Sequence, residues 1–160
     1  MNSSTITLHR ASQEDAQQIA VMVGELLHEI MNTIGVAAFN FDEALTKTQL
    51  IYLIKNDKYF SFVAKDETDN YIGFITLCES YALYAEGVFG TIPELYVRPA
   101  FRSQKIGFRL LHQAKEFGKD RGWKRLEVTT PPLPQFNKTI SFYEREGFAI
   151  AGGRKLKILL

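Results

Sequence analysis

Residues 59–81 read YFSFVAKDETDNYIGFITLCESY. Two apolar, β-rich runs, 59–66 and 71–81, flank a polar turn at Thr68–Asn70. A connection this short joins antiparallel neighbours. A second stretch sets the opposite condition. A strand at 94–98, a helix at 105–121 closed by Gly122 and a short, largely buried strand at 124–130 make a β-α-β unit, whose strands lie parallel through a right-handed crossover. One sheet must therefore hold antiparallel hairpins and a parallel pair, with helices on its faces.

The remaining segments fill in that frame. TITLHR, 5–10, alternates as a first strand. Ser12 and Asp15 form a capping box, with aspartate in place of the usual glutamate, ahead of a helix at 13–31. Ile19, Val23, Leu26, Leu27 and Ile30 give this helix its apolar face. Residues 32–41 show no period and read as a loop; Asp42 and Glu43 open a second helix, 42–56. The strand region 88–98 is interrupted by Pro93, which cannot donate to a ladder, so its paired part is expected from Glu94 onward. After the break at PPLP, 136–147 reads as a helix stopped by Gly147, and FAIAGGRKLKILL as two short strands joined at Gly152-Gly153.

A length of 160 residues suggests a single domain, 1–160, large enough to need no disulfide. The net charge of +1 lacks the basic excess of a nucleic-acid or membrane binder. No apolar run approaches membrane-spanning length, and the chain reads as cytoplasmic. Cys78 is alone and reads as a buried strand residue; His9, His28 and His112 lie far apart, so no metal-ligand spacing is visible.

The charge that exists is concentrated. Arg98, Arg102, Lys105 and Arg109 surround a strand-to-helix turn, and no acidic residue occurs from Leu95 through Lys115. About four backbone N–H groups at a helix start have no helical partner, and the helix dipole adds positive potential there. Such a turn suits an anion. Spacing alone leaves a nucleotide, coenzyme A or sulfate open, as well as plainly solvated arginines. Neither a Walker loop nor a G-x-G-x-x-G fingerprint is present.

ELYVRPAFRSQKIGFRLL, followed by RLEVTT and NKTISFYEREGF, resembles the GCN5-related N-acetyltransferase (GNAT) family, from about Tyr59 to the C-terminus. The resemblance implies an α/β fold: a mixed, mostly antiparallel sheet of six to seven strands, about four flanking helices, and two central parallel strands, here 94–98 and 125–130, that splay apart. It implies acetyl-CoA as co-substrate, no metal, a small-molecule or peptide amine as acceptor, and leaves room for a homodimer, which is common in the family.

The family's pyrophosphate loop, Arg/Gln-x-x-Gly-x-Gly/Ala, falls on Arg102, Ser103, Gln104, Lys105, Ile106 and Gly107, with lysine where glycine is usual. If that position needs positive φ, lysine costs roughly 1 kcal/mol. Phe108 and Arg109 extend the coenzyme set. The splayed strand would offer backbone groups of Leu95, Tyr96 and Val97 to the pantetheine arm as to an added strand, and Asn137 would contact the arm. Glu94 is the leading general base, ahead of Glu79 and Glu86, against the reading of an ordinary surface carboxylate. Tyr143 matches the family's general acid, against packing with Phe142 and Phe148. A backbone N–H near Val97 would face the oxyanion.

Other features have plainer alternatives. Tyr81 and Tyr84 either line the acceptor end or shield a sheet edge. Phe39, Phe41, Asp42 and Glu43 either shape an acceptor pocket or, for the two acids, cap a helix. His28 reads as a surface or packed residue rather than a catalyst. In the family the chain resembles, the connection corresponding to Gly152-Gly153 often roofs the acceptor site, and a roof this short would leave that site open or finished by another subunit. Two rivals to an acetyltransferase remain: a catalytically inactive acyl-CoA-binding module and an unrelated nucleotide-binding domain.

Overall fold

A computed structural model describes residues 5–131 and 135–160. The strands are β1 (Thr7–Arg10), β2 (Phe60–Lys65), β3 (Tyr71–Ala82), β4 (Gly87–Ile92), β5 (Leu95–Val97) and β6 (Leu126–Val128); the helices are α1 (Ala16–Ile34), α2 (Glu43–Lys55), α3 (Ile106–Asp120) and α4 (Asn137–Arg145). The chain packs as two units. One ends at Thr129 and holds all six strands with α1 to α3; the other, Thr130–Leu160, holds α4.

In the first unit the strand order is β1-β2-β3-β4-β6, with β5 also on β3. Every pairing is antiparallel except β4 with β6. This is the mixed, mostly antiparallel α/β sheet expected, with six strands among the described residues. Residues 60–64 of β2 are all buried, rather than alternating, because helices cover both faces. Val63 and Phe74 pack into one core with Ile19 and Met22 of α1 and Leu50 of α2. Phe60 and Phe62 meet Phe117 of α3 on the other face, with ring centroids 4.8 and 5.9 Å apart. Trp123 lies so close to Gly90 of β4 that a Cβ there would come within 2.2 Å of the indole, so only glycine fits.

Several boundaries differ from the sequence reading. α1 runs on to Ile34, through the first residues of the expected loop, because Gly35 supplies a left-handed cap at φ 71°. Pairing does not begin at Glu94: β4 is paired with β3 up to Cys78↔Thr91, and β5 resumes at Ile75↔Leu95. Pro93 falls in the gap, where its missing N–H breaks nothing. The parallel partner of β6 is accordingly β4, through Gly90–Ile92, and not the 94–98 strand.

In the second unit α4 ends at Arg145, and Gly147 follows at φ 93°. The expected C-terminal hairpin is absent: residues 148–160 form no strand, and Ile150, Leu156, Ile158 and Leu160 are exposed. An isolated two-stranded hairpin is marginal without further strands to pack on, and local alternation alone does not hold one together.

The capping box forms as expected and also carries tertiary structure. The Ser12 N–H donates to Asp15 (2.8 Å), and the Tyr71 hydroxyl of β3 donates to the same carboxylate (2.5 Å), with His9 at 3.5 Å. Burial pushes the Asp15 carboxyl up, but the hydrogen bonds from Tyr71, Ser12 and His9 outweigh it and hold it below its ordinary value. A depressed carboxyl contributes stability that is present above the unfolded value of 3.8 and lost as pH falls through the folded one. Asp15→Asn should therefore lower stability by about 1–2 kcal/mol at neutral pH, with the gap to wild type closing below about pH 4. Urea midpoints against pH test this; a gap independent of pH would contradict it.

Candidate active site

Between the pairs Cys78↔Thr91 and Ile75↔Leu95, two residues of β3 (Thr76, Leu77) face three of the opposite chain (Ile92, Pro93, Glu94). This one extra residue is a β-bulge, which bends the strand and increases its twist. Before it, β4 pairs with β6 as far as Ile92↔Val128. After it, β5 pairs only with β3 among the described residues. The splay expected between parallel strands thus starts at the bulge.

The register fixes which backbone groups β5 leaves open. The Thr76 N–H donates to the Glu94 carbonyl (2.9 Å) and the Arg98 N–H to the Ile72 carbonyl (2.9 Å). In an antiparallel ladder hydrogen-bonded pairs alternate, so Tyr96 is turned toward Phe74 of β3, while Leu95 and Val97 turn their N–H and C=O groups outward. Tyr96 thus leaves the expected open set. Its phenol is directed elsewhere, donating to Glu25 of α1 (3.2 Å), and burial with that neighbour pushes it up to about 12. Gly73 makes the tight pairing possible: a Cβ there would meet the Tyr96 carbonyl at 2.8 Å.

Glu94 sits at the bulge, partly buried. Its N–H donates to the Thr76 hydroxyl (3.0 Å), and that hydroxyl donates to the Glu94 carboxylate. Burial pushes the carboxyl up, and the Thr76 hydrogen bond offsets part of the rise. Tyr59 lies near it, its phenol pushed far up by burial and by Glu94. Cys78 is partly exposed rather than buried, with its sulfur 2.8 Å from the Thr91 hydroxyl.

The basic turn begins at Arg102. Ser103 (φ 71°) and Lys105 (φ 61°) are both left-handed, a backbone arrangement that directs N–H groups into a concave anion site. Lys105 is the residue before α3 and gives it no side-chain cap. Ile106, Gly107 and Phe108 lead the helix, and its backbone ladder starts with the Arg109 N–H on the Lys105 carbonyl (3.0 Å). Ser103, Gln104 and Lys105 are exposed. The side chains of Phe108 and Arg109 lie on the outer face of α3, where they line a surface hollow with Leu8, His112 and Gln113.

Two of the four basic side chains are already paired. Arg98 holds Glu25 through Nε (3.1 Å) and Nη2 (2.9 Å) and donates Nη1 to the Tyr71 carbonyl (2.7 Å). Arg102 holds Glu29 through both Nη atoms (2.9 and 2.7 Å), and its Nε donates to the outward Val97 carbonyl (2.9 Å). Arg102 is therefore a strut between α1 and the end of β5, and its charge is not free for an anion. The acids missing from 95–115 come from α1, one turn apart, matching the four-residue spacing of the arginines. That shared spacing was the available signal, and reading each segment separately missed it.

Glu79 does not qualify as a base: Arg121 (2.7 Å) and the Trp123 indole (2.9 Å) hold its carboxylate, Arg121 most strongly, and its pKa lies below normal. Glu86 is an exposed, left-handed turn residue. Asp42 caps α2 through the Leu45 N–H (2.9 Å), and Glu43 accepts from Gln17 (3.1 Å). His28 is packed, with Nδ1 2.7 Å from the Gly24 carbonyl and its ring edge-on to Phe41. Tyr81 and Tyr84 are exposed and shield little; Tyr84 lies beside the Arg125 guanidinium. Among the described residues no group of three or more His, Cys, Asp or Glu is placed to hold a metal.

In the second unit Asn137 opens α4. Tyr143 is buried between Phe142 and Phe148, with ring centroids 5.2 and 5.3 Å away, and burial pushes its phenol far up.

The fold has counterparts among known proteins. Residues 57–150 match the family described as Acetyltransferase (GNAT) domain. The chain belongs to this acetyltransferase family. It is 30% identical over 152 residues to the aminoalkylphosphonate N-acetyltransferase of Salmonella typhimurium strain LT2, covering 95% of this chain and 90% of that one. Its fold matches an aminoglycoside acetyltransferase from an uncultured soil metagenomic sample, solved with sisomicin (TM-score 0.76, 17% identity, 97% and 96% of the two chains). It also matches a predicted acetyltransferase from Clostridium acetobutylicum solved with acetyl-CoA (TM-score 0.78, 14% identity, 97% and 96%).

The left-handed Lys105 gives a direct test of the turn. Lys105→Gly relieves backbone strain of about 1 kcal/mol and adds chain entropy of similar size, so thermal stability should change little. Loss of the exposed ammonium should weaken binding of a phosphate-bearing anion at the turn about threefold, with the difference shrinking in high salt. Calorimetric titration at two salt concentrations measures this; tighter binding in the glycine variant would contradict it.

Proposed function

We propose that the protein transfers an acetyl group from acetyl-CoA to a small-molecule primary amine by direct attack within a ternary complex. The observation that carries this reading is the pair of outward-facing residues, Leu95 and Val97, on a strand that leads into a turn with two left-handed residues. Leu95 and Val97 suit a pantetheine arm added as a strand. The turn from Arg102 to Gly107 suits a pyrophosphate, through backbone N–H groups with Lys105 assisting. Asn137 is assigned to the coenzyme arm on family resemblance.

The acceptor must react as a free amine. At pH 7 an ordinary alkyl ammonium costs about 5 kcal/mol to deprotonate, so a base is needed. Glu94 takes this role, directly or through water. Its carboxyl is raised, so base catalysis fades on the acid side starting above the ordinary carboxylate range. The nitrogen bonds to the acetyl carbon and gives up its proton. The Val97 N–H supports the oxygen as charge develops there. The C–S bond then breaks, and Tyr143, assigned on family resemblance like Asn137, serves the leaving sulfur. With its phenol raised by burial, proton transfer to a thiolate costs more than the roughly 2 kcal/mol between unperturbed groups. Tyr143 therefore acts first as a hydrogen-bond donor and completes proton transfer late.

An aminoalkylphosphonate is the first acceptor to try, because the Salmonella relative named for that substrate class aligns with nearly the whole chain. An assay of thiol release from acetyl-CoA over a panel of aminoalkylphosphonates, polyamines, amino acids and aminoglycosides tests the function. Tyr143→Phe should lower kcat by about tenfold or more while changing the KM for acetyl-CoA little. No turnover with any amine, or an unchanged kcat in that variant, would count against the proposal or against the role of Tyr143, respectively.

A further inference from the structure

We propose that Thr76 is the positioning residue that fixes the Glu94 carboxylate beside the start of β5, where it can accept a proton from the acceptor amine. This rests on Glu94 being the base in the proposed acetyl transfer.

Thr76 stands in the run IGFITLC, 72–78, as its one hydroxyl, and it is 1% exposed. A buried hydroxyl costs stability unless it is bonded, and valine would serve a buried strand better on volume and β-propensity. The hydrogen bonds that tie Thr76 to the opposite chain all go to Glu94, a long one of 3.4 Å from its hydroxyl to the Glu94 carbonyl included. Its N–H donates to the Glu94 carbonyl (2.9 Å), its hydroxyl accepts from the Glu94 N–H (3.0 Å), and the same hydroxyl donates to the Glu94 carboxylate. In a regular antiparallel pair the Glu94 N–H would reach the Thr76 carbonyl. The extra residue of the bulge moves it off that acceptor, and the hydroxyl takes the place of the carbonyl. One side chain therefore holds the distorted backbone and orients the carboxylate that the distortion exposes.

The groups around Glu94 leave this role to Thr76. The Tyr59 phenol, just before β2, lies near enough to Glu94 and to Cys78 of β3 that their charge, after burial, raises its pKa. Burial keeps that phenol protonated. Burial also disfavours the Glu94 carboxylate, and the Thr76 hydroxyl is what favours it.

The test is kcat/KM against pH, with one amine acceptor, for wild type, Thr76→Val, Thr76→Ser and Glu94→Gln. The amine's own ionisation is common to all four profiles and cancels in their ratios. Thr76→Val should move the acid limb upward by about one pH unit, and Thr76→Ser should restore the wild-type limb. Thr76→Ala is the second variant: where valine does not fold, alanine must show the same shift. A uniform loss at every pH, or an unmoved limb, overturns the inference, since a merely structural threonine would not move it. Glu94→Gln separates the two ideas. If it keeps the wild-type limb, the base itself is wrong and the inference falls with it. If it abolishes the limb while Thr76→Val leaves it in place, the role of Thr76 alone falls.

Discussion

One extra residue between Ile92 and Glu94 organises the site. Without it, β4 and β5 would be a single strand along β3, and the parallel pairing with β6 would run on past Val128. With it, β6 keeps only the β4 half, and β5 keeps β3 on one side and an open edge on the other. An open edge is normally a liability in a sheet. Here it is three residues long, bounded by Pro93 before and Pro99 after, with Arg102 capping its last outward carbonyl. What remains open is small and ordered.

The surroundings hold that edge in place with charge and strain. Glu25 and Glu29 on α1 engage Arg98 and Arg102, so the helix that buries Ile19 and Met22 in the core also anchors the chain leaving β5. Pairs as exposed as these contribute little stability singly; their value lies in geometry, since bidentate arginine contacts fix direction as well as distance. The next residues store strain instead. Ser103 and Lys105 adopt a conformation that costs non-glycine residues roughly 1–2 kcal/mol each, and such cost is commonly kept where a site needs a particular backbone.

Much of this was legible in the sequence. The hairpin at 59–81 and the strand-turn-helix unit specified the mixed sheet, because short connections and crossovers leave few topologies. The basic turn and its odd lysine were visible as letters, and the left-handed backbone at Lys105 meets the condition under which lysine there costs strain. Other features required the third dimension. Proline at 93 announced an interruption, but not which half of the strand would meet β6. The arginines looked free because their partners lie some seventy residues earlier in the chain. Tyr96 looked open until register showed it turned toward β3. The terminal GG hairpin had a strong local signal, yet residues 148–160 form no strand.

The central claim is that the open edge of β5 receives the coenzyme arm as an added strand. Residue-resolved amide hydrogen exchange, with and without saturating acetyl-CoA, tests it most directly. The account predicts that the Leu95 and Val97 N–H groups slow on binding, whereas the Tyr96 N–H, already paired to Phe74, is protected in both states. Unchanged exchange at Leu95 and Val97 with the coenzyme bound would contradict it.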